Sequence, residues 1–384
     1  MNKTTWKRVK LGEVAEINPL ESINKNTLAK KVSMDNLEPF NKKIYSFSME
    51  SFKGGSKFKN GDTLLARITP CLENGKTAFV DFLENNEIAF GSTEFIILRE
   101  KENISDKHFL YYLARSENFR ETAIKSMTGS SGRERVQIEV IRDYEFSLPP
   151  LETQQRIAEI LSSLDDKIDL LHRQNKTLES LSLTLFRHTF IENPKRNEWE
   201  EKPLSEIADF LNGLACQKLP PQNEINRLPV LKIKELREGI TESSDWATSE
   251  VDSKYIVQNG DVIFSWSASL MVKIWNGQKC ILNQHLFKIT SAIYPKWFYY
   301  FWCLFHLENF ISIALAQATT MGHIKRTDLD NAICSIPPKD FLDSMDKQIS
   351  PIFDKIYNNS KQIQNLESLR DIMLPKLLSG EVEV

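Results

Sequence analysis

The second half of the chain repeats the first, and this duplication constrains the fold more than any other feature. Displaced by 188 positions, "TLESLS" at 177–182 returns as "NLESLR" at 365–370, and "SLPP" at 147–150 returns as "SIPP" at 335–338. A period this long indicates a duplicated domain, because the repeats of solenoid proteins are far shorter.

Each copy has the same plan: a mixed globular segment, a Pro-Pro step and a long helical segment. The fold class we predict is α/β, with globular parts of mixed sheet and helices. "NGD" occurs at 60–62 and again at 259–261, and Asn-Gly between alternating apolar runs predicts an equivalent β-hairpin in each copy. The predicted segments are head one at 1–150, a central spacer helix at 151–190, head two at 191–338 and a C-terminal spacer helix at 339–384.

Apolar residues recur at alternating steps of three and four in both helical segments, which is typical of a coiled-coil seam. Two matching stripes within one chain favour pairing with each other over burial in separate cores. A seam Asn commonly fixes register. The predicted seam residues are Leu161, Leu164, Ile168, Leu171, Asn175, Leu178 and Leu185 in the first segment and Ile349, Ile352, Ile356, Asn359, Ile363, Leu366 and Met373 in the second.

The length of these helices predicts the direction in which they pair. A helix of roughly 35 to 40 residues extends about 55 to 60 Å, whereas a globular part of about 150 residues has a radius of gyration of about 15 Å. Parallel pairing would require head two to carry the chain back along the whole helix. We therefore predict an antiparallel coiled coil with a head at each end, related by a pseudo-twofold axis.

Composition excludes some classes of protein and leaves others open. The net charge is −3 and the pI about 6.2, so a nucleic-acid partner would have to be held by a local basic patch. Five widely spaced cysteines without a C-x-x-C pair argue against a disulfide framework or a metal site and fit a reducing cytoplasm. The apolar run "WFYYFWCLF" at 297–305 is too short to span a bilayer and predicts a buried helix.

Two helical phrases resemble a known family, the specificity subunits of type I restriction-modification systems. "LPPLETQQRIAEILSSLDDKID" is similar to the central conserved region of that family, and "LESLRDIMLPKLLSGEVEV" is similar to its C-terminal conserved region. Thr153 stands where an acidic residue is common, and "IPPKDFLDSMDKQI" lacks the Gln pair of the first copy.

The resemblance implies a non-catalytic DNA reader whose heads each recognise one half of a bipartite, asymmetric site. It implies that the paired helices set the unread spacer and dock two methyltransferase subunits, with restriction subunits in a full complex. No cofactor is expected in this chain, because S-adenosylmethionine, ATP and Mg would be bound by those partners.

Candidate DNA contacts in head one are a lysine-rich segment and basic residues near two loops. Residues 1–150 hold 23 basic and 21 acidic residues, and the segment 30–59 is locally more basic, with Gly54-Gly55 allowing close backbone approach. Arg67 follows a predicted turn, and "TGSSGRERV" at 128–136 offers backbone N–H groups and cations to phosphate. The candidates are Lys30, Lys31, Lys42, Lys43, Lys53, Lys57, Lys59, Arg67, Arg133 and Arg135.

Head two has a loop of similar composition, "TTMGHIKRTD" at 319–328, before its own Pro-Pro step. The alternatives for each basic residue are a solvated face or a structural ion pair. The candidates are Lys218, Lys232, Lys234 and Lys273, near Trp266 and Trp275, together with His323, Lys325 and Arg326.

Two other classes of function stay open from the residues alone. The chain lacks an Asn/Asp-Pro-Pro-Tyr/Phe methyltransferase motif, a phosphate-binding G-x-x-x-x-G-K-[ST] loop and an H-E-x-x-H motif. A nuclease built from scattered carboxylates remains an alternative, as does a coiled-coil scaffold that binds only protein.

Overall fold

The computed structural model describes residues 6–130, 132–241, 243–317 and 322–384. Unit one of the structure comprises the residues up to Leu170 together with Gln364–Val384, and unit two comprises Leu171–Ile363. Each of the two long helices contributes residues to both units.

Head one is the mixed sheet and helix part of unit one. Its strands are β1 (Lys7–Lys10), β2 (Ala15–Ile17), β3 (Leu28–Val32), β4 (Ser48–Ser51), β5 (Ser56–Phe58), β6 (Thr63–Ala66), β7 (Thr77–Phe79), β8 (Ala89–Gly91), β9 (Phe95–Glu100) and β10 (Glu145–Leu148). Its helices are α1 (Leu11–Val14), α2 (Lys107–Arg115), α3 (Glu117–Lys125) and α4 (Ile138–Arg142), with a 3-10 turn at Met34–Asn36.

Two four-stranded sheets form the core of head one, in the orders β2-β9-β6-β7 and β4-β3-β8-β5, beside a ribbon of β1 with β10. The pairing of β3 with β8 is parallel, and the neighbouring pairings are antiparallel. Strand β6, with the sequence TLLA, is buried along its whole length because it lies inside its sheet with both faces covered. Its last residue is therefore rigidly placed, and the next residue, Arg67, leaves the core at a fixed point.

Head two repeats this arrangement in unit two. Its strands are β11 (Glu200–Pro203), β12 (Asp209–Asn212), β13 (Arg227–Leu231), β14 (Trp246–Thr248), β15 (Ile256–Val257), β16 (Val262–Ser265), β17 (Met271–Ile274), β18 (Cys280–Leu282), β19 (Leu286–Thr290) and β20 (Ile333–Ile336). Its helices are α6 (Leu204–Ile207), α7 (Ile233–Glu238), α8 (Lys296–Gln317) and α9 (Arg326–Asp330), with 3-10 turns at Pro194–Glu198, Cys216–Lys218 and Ser253–Tyr255. Between the two heads in sequence lies the first long helix, α5, which runs Leu151–Phe186.

The strand orders of head two are β12-β19-β16-β17, β14-β13-β18-β15 and β11-β20. Each matches its counterpart in head one, and the parallel pairing of β13 with β18 falls at the place of the parallel pairing of β3 with β8. Strand β16, the counterpart of β6, is likewise buried throughout. The predicted duplication and the α/β class of the heads are therefore confirmed.

The Asn-Gly-Asp turns are not hairpins, which corrects the sequence-based expectation. In head one the turn joins β5, which pairs with β8, to β6, which lies in the other sheet. The turn between β15 and β16 in head two does the same. Asp62 and Asp261 each accept a backbone N–H from three residues earlier, at 2.8 Å, so the carboxylate closes a turn between two sheets instead of a loop between paired strands.

Helix α8 contains the aromatic run of head two. Trp297, Phe298, Phe301 and Trp302 are all 2% exposed or less and lie within the main hydrophobic cluster of unit two. The prediction of a buried helix is confirmed here. Within the described ranges, no helix has the length and apolar character needed to cross a membrane.

In unit one, α5 pairs with α10, the second long helix, which runs Lys339–Ser379. Leu161 shares a hydrophobic cluster with Leu374 and Leu377. One turn further along α5, Asp165 accepts a hydrogen bond from Arg370 at 2.7 Å. Residue numbers thus rise in one helix as they fall in the other, which is the order of an antiparallel pair.

The same order holds in unit two, where a polar layer lies in the seam. Asn359 donates from Nδ2 to Oδ1 of Asn175 at 2.9 Å, and both residues are buried. Past the end of α5, Phe190 contacts Phe341 near the start of α10, with ring centroids 6.2 Å apart. The antiparallel coiled coil is therefore confirmed within each unit.

All the residues predicted for the seam are buried or partly buried. They are Leu161, Leu164, Ile168, Leu171, Asn175, Leu178 and Leu185 in α5, and Ile349, Ile352, Ile356, Asn359, Ile363, Leu366 and Met373 in α10.

Arg370 is a seam residue that apolar periodicity did not predict. It lies between Leu366 and Met373 in the heptad pattern, and the side chains of Arg370 and Asp165 are each 6% exposed. Asp165 also accepts a hydrogen bond from the hydroxyl of Tyr112 at 2.6 Å, and this bond connects head one to the helix pair. Burial alone would lower the pKa of Arg370, but the neighbouring carboxylates raise it above its ordinary value, so the guanidinium stays charged.

We expect Arg370→Ala to lower the free energy of unfolding by about 3–5 kcal/mol, because it leaves the Asp165 carboxylate buried without its cation. Urea unfolding followed by circular dichroism measures this loss. The matched control is the double variant Asp165→Leu with Arg370→Leu, which removes both charges and should regain most of the lost stability. An Arg370→Ala protein as stable as its parent would contradict the assignment of this ion pair to the seam.

Candidate nucleic-acid interface

In head one, the chain that leaves strand β6 is bonded to the loop before α4. The carbonyl oxygen of Arg67 accepts the N–H of Val136 at 2.9 Å, and the N–H of Arg67 donates to the carbonyl oxygen of Glu94 at 2.8 Å. A β-bridge joins Ile68 to Arg135. These backbone contacts bring Arg67, Glu94 and Arg135 together, and we call these three residues corner one.

Head two contains the same backbone contacts with different residues. The carbonyl oxygen of Trp266 accepts the N–H of Ile324 at 3.1 Å, and the N–H of Trp266 donates to the carbonyl oxygen of His285 at 3.4 Å. A β-bridge joins Ser267 to His323. We call Trp266, His285 and His323 corner two.

The side chains of corner one form a charged group. Arg135 binds Glu94 in a bidentate ion pair, with Nε 3.0 Å from both carboxylate oxygens and a terminal amino group 2.7 Å from one of them. This pair raises the pKa of Arg135 through the hydrogen bond and the charge of Glu94. Arg67 donates from Nε to the carbonyl oxygen of Val136 at 3.2 Å. Arg133 is exposed beside them.

The side chains of corner two form an aromatic group. The ring centroid of Trp266 lies 5.9 Å from that of His285 and 6.3 Å from that of His323. Trp266 stacks on Phe287 at 5.7 Å, and its indole N–H donates to Oδ1 of Asn212 at 3.2 Å. Corner two therefore consists of indole and imidazole rings where corner one consists of guanidinium and carboxylate groups.

The lysine-rich segment of head one is largely neutralised by its neighbours. Lys57 donates to the carbonyl oxygen of Glu21 at 2.6 Å, and Lys59 lies 3.8 Å from the carboxylate of the same residue. Lys53 is exposed, and the described residues supply it with no ion pair. Three other lysines bind carboxylates: Lys30 with Glu87, Lys31 with Glu50, and Lys43 with Asp81.

The prediction of Lys42 as a phosphate contact is wrong, because its side chain is buried. It is 5% exposed and donates to the hydroxyl of Ser162 in α5 at 2.8 Å. Its ammonium lies 5.2 Å from the ring centroid of Tyr112, and burial lowers its pKa. Lys42 therefore fastens head one to α5 and does not face solvent.

Gly55 also has a structural explanation in place of the predicted approach to DNA. Its φ is +122°, and a Cβ at this position would lie 2.1 Å from the carbonyl oxygen of Gly91 in β8. The glycine is required because two backbones meet there. Gly54, with φ +150°, is not sterically confined in this way, because a Cβ at this position would have no neighbouring atom within 4 Å.

In head two the candidate lysines divide in the same way. Lys273 donates to the carbonyl oxygens of Leu236 and Arg237, both at 3.2 Å, and burial lowers its pKa. Trp275 is 3% exposed and belongs to the core. Two lysines have side-chain partners: Lys232 with Asp245, and Lys234 with Ser243. Among the candidates of head two, Lys218, Lys234, His323, Lys325 and Arg326 are exposed.

Parts of the predicted phosphate-binding loops lie outside the described residues. These are Ser131 in head one and Thr319, Thr320 and Met321 in head two. The corner residues on both sides of these positions are described.

Sequence reasoning did not predict the corner residues Glu94 and His285, or Asn212, which binds Trp266. None of the three belongs to a sequence motif. Glu94 and His285 directly precede β9 and β19, and Asn212 is the last residue of β12. The repeat itself was the signal that could have found Glu94 and His285. Glu94 precedes "FIIL" and His285 precedes "LFKI", so an alignment of these two strands puts the carboxylate and the imidazole at equivalent positions of the two copies.

Comparison with known proteins identifies the family. The model of the type I restriction modification DNA specificity domain matches twice, at residues 3–180 and 196–369. The chain is 30% identical over 300 residues to the type I restriction enzyme MjaIX specificity subunit of Methanocaldococcus jannaschii, covering 72% of this chain and 69% of that protein. It is 21% identical to the type I restriction enzyme HindI specificity subunit of Haemophilus influenzae, covering 98% and 99% of the two chains.

A solved structure shows the same fold. The S subunit of a type I restriction-modification system from M. genitalium superposes with a TM-score of 0.55 at 13% identity, over 98% of this chain and 97% of that one. The chain belongs to the family of type I restriction-modification DNA specificity proteins, with one specificity domain in each half.

Lys42 and Lys53 provide a matched pair that separates structural lysines from DNA-contacting ones. We expect Lys53→Gln to weaken binding to duplex DNA and to reduce the salt slope of that binding by about one, because one phosphate contact is lost. Lys42→Gln should lower the thermal midpoint and leave the salt slope unchanged. Fluorescence titration of labelled DNA at several salt concentrations, with thermal melts of both variants, gives the two quantities. A Lys53→Gln protein with the parental slope would remove Lys53 from the interface.

Proposed function

We propose that this chain is the specificity subunit of a type I restriction-modification complex and reads a bipartite, asymmetric DNA site. The observation that carries the proposal is that both halves match the same DNA specificity domain while their corners carry different side chains. Each head then recognises one half-site. Two heads with one backbone and different surface chemistry have no reason to select the same bases, so the two half-sites differ.

The paired helices hold the two half-sites at a fixed spacing in this proposal. A coiled coil of fixed register behaves as a rod, and two readers held apart address sites separated by a set number of base pairs on one face of B-DNA. The buried Asn175–Asn359 pair supports this role, because amide groups in a seam fix one register.

The chain itself is proposed to carry no catalytic step. Two methyltransferase subunits dock on the paired α-helices of this chain. These subunits bind S-adenosylmethionine and flip the target adenine out of the DNA duplex. Restriction subunits with ATP and Mg complete the complex where they are present. We also propose a cytoplasmic location, which the five free cysteines support because thiols persist in a reducing compartment.

The alternative functions are not favoured. A scaffold that binds only protein would need no DNA specificity domain in either half, and the family match covers both. An unrecognised nuclease would need a group of carboxylates in one place, whereas Glu94, the carboxylate of corner one, is held in an ion pair.

Methylome sequencing of cells with and without this gene tests the proposal. We expect one asymmetric bipartite motif with adenine methylation to disappear when the gene is deleted and to return on complementation. The methyltransferase partner gene remains intact in both strains, so its expression serves as the control. An unchanged methylome in cells that express the partner would count against a specificity subunit.

Lengthening both helices tests their role as a spacer. Duplicating residues 171–177 in α5 and 357–363 in α10 adds one heptad to each and keeps the seam in phase, including an extra Asn layer. Seven residues add about 10.5 Å to each helix. The methylated motif should keep its two half-sites and have a longer unread spacer.

Duplication in α5 alone is the control for this experiment, because the seam then has unequal lengths and methylation should be lost. If the double insertion methylates a motif with the parental spacing, the helices do not set the spacer.

A further inference from the structure

The two corners are built on one backbone and differ in the residue that leaves the central strand. The two heads share one more backbone hydrogen bond beside the corner. In head one the N–H of Thr69 donates to the carbonyl oxygen of Glu134 at 3.0 Å, and in head two the N–H of Ala268 donates to the carbonyl oxygen of Gly322 at 2.8 Å. The strands leading into the corners, TLLA and VIFS, are both apolar or nearly so and fully buried. The change from Arg67 to Trp266 therefore occurs where the surrounding framework is the same.

The guanidinium of Arg67 is fixed but not neutralised. Its Nε is bound to the carbonyl oxygen of Val136, which sets the plane of the group. Its two terminal amino groups have no hydrogen bond or ion pair to any residue that the structure describes. The nearby carboxylate of Glu94 is occupied by Arg135. A structural ion pair, the alternative explanation for an arginine at this position, is therefore absent from the described part of head one.

Arg67 lines an open cavity of about 180 Å³, together with Gly55, Lys57 and Thr93. Leu20, on the rim of this cavity, is 99% exposed. A cation with two donors directed from a rigid strand, beside an exposed apolar side chain, is suited to a flat ligand that presents paired acceptors.

We propose that position 67 in head one and position 266 in head two are the equivalent base-reading position, with Arg67 selecting a guanine in the major groove. The inference rests on the proposed function and adds the residue and the base to it. Guanine presents O6 and N7 as adjacent acceptors, which match the two terminal donors of an arginine. No other base pair presents that pair of acceptors on one base in the major groove.

A phosphate would also accept hydrogen bonds from Arg67, singly or in a bidentate pair. Phosphate contacts position a protein without reading sequence, and a position that serves this purpose would need a cation in both heads. The same framework carries Arg67 in head one and an uncharged Trp266 in head two, which favours a base as the partner of Arg67. Arg133, exposed on the adjoining loop and without a side-chain partner in the described residues, is the candidate for the phosphate contact.

Trp266 gives head two a different preference at the same position. The indole N–H of Trp266 is already bound to Asn212, and its ring stacks on Phe287, so the side chain presents an apolar edge. An apolar edge in the major groove contacts the methyl group of thymine and offers nothing to the guanine acceptors. The guanine requirement at this position therefore belongs to the half-site of head one.

The test uses the full chain expressed with its partner subunits, and it measures the methylated motif in cells for the parent, Arg67→Ala, Arg67→Lys, Arg133→Ala and Trp266→Ala. For Arg67→Ala we expect one guanine position of one half-site to relax by roughly ten- to hundredfold, with the other half-site unchanged. Arg67→Lys should relax the same position, because lysine lacks the planar fork. Trp266→Ala should relax the opposite half-site.

Arg133→Ala is the control for a phosphate contact and should lower methylation of every site without changing the motif. Two outcomes would overturn the assignment. One is a uniform loss of methylation for Arg67→Ala, and the other is that the half-site read by head one of the parent protein contains no guanine. The intact specificity of the other half-site shows that the variant is folded and assembled. A parent whose gene deletion changes no motif at all would instead refute the proposed function, so the two failures are distinguishable.

Discussion

The buried polar layers in the helix seam are the interaction on which the rest of the structure depends. The Asn175 and Asn359 amides bond to each other in one register only. A slip by one heptad would separate the two amides and place Asn175 against Ile352 or Leu366, and a buried polar group without a partner costs about 1–3 kcal/mol. Arg370 and Asp165 impose the same condition in unit one with charges in place of amides. The apolar seam provides the stability of the pair, and these two layers restrict it to one alignment.

Each head is attached to the helix pair by contacts of its own. In unit one, Tyr112 of α2 donates to Asp165 and Lys42 donates to Ser162, so residues of head one complete the hydrogen bonding of the helix. In unit two the attachment is aromatic, because Tyr300 and Phe301 of α8 pack on Phe353 of α10. The two copies thus use the same backbone plan with different chemistry, both where a head meets the helices and at its corner.

The repeat, the helix lengths and the seam could be predicted from the sequence, because they depend on periodicity and on chain length, which are local or countable properties. The direction of pairing followed from the same counting, since a short globular part cannot return the chain along a long helix. Lys42 shows where this reasoning stopped. It lies in a lysine-rich segment, and only the packing of α5 against head one reveals that its ammonium is buried. The "NGD" turns show a second limit, because a turn signal does not state whether the flanking strands pair.

The sequence by itself determined that two copies of one α/β unit are joined by helices that pair in opposite directions, and it placed the family resemblance on those helices. Only the tertiary structure decided which side chains meet at each corner. Arg67, Glu94 and Arg135 are distant along the chain, and they come together because β6 delivers Arg67 to a fixed point where two loops bond to its backbone. Whether a lysine is neutralised depends on which carboxylates lie near it in space, and those carboxylates are distant in sequence. A count of lysines therefore could not distinguish a neutralised surface from a site that retains free hydrogen-bond donors.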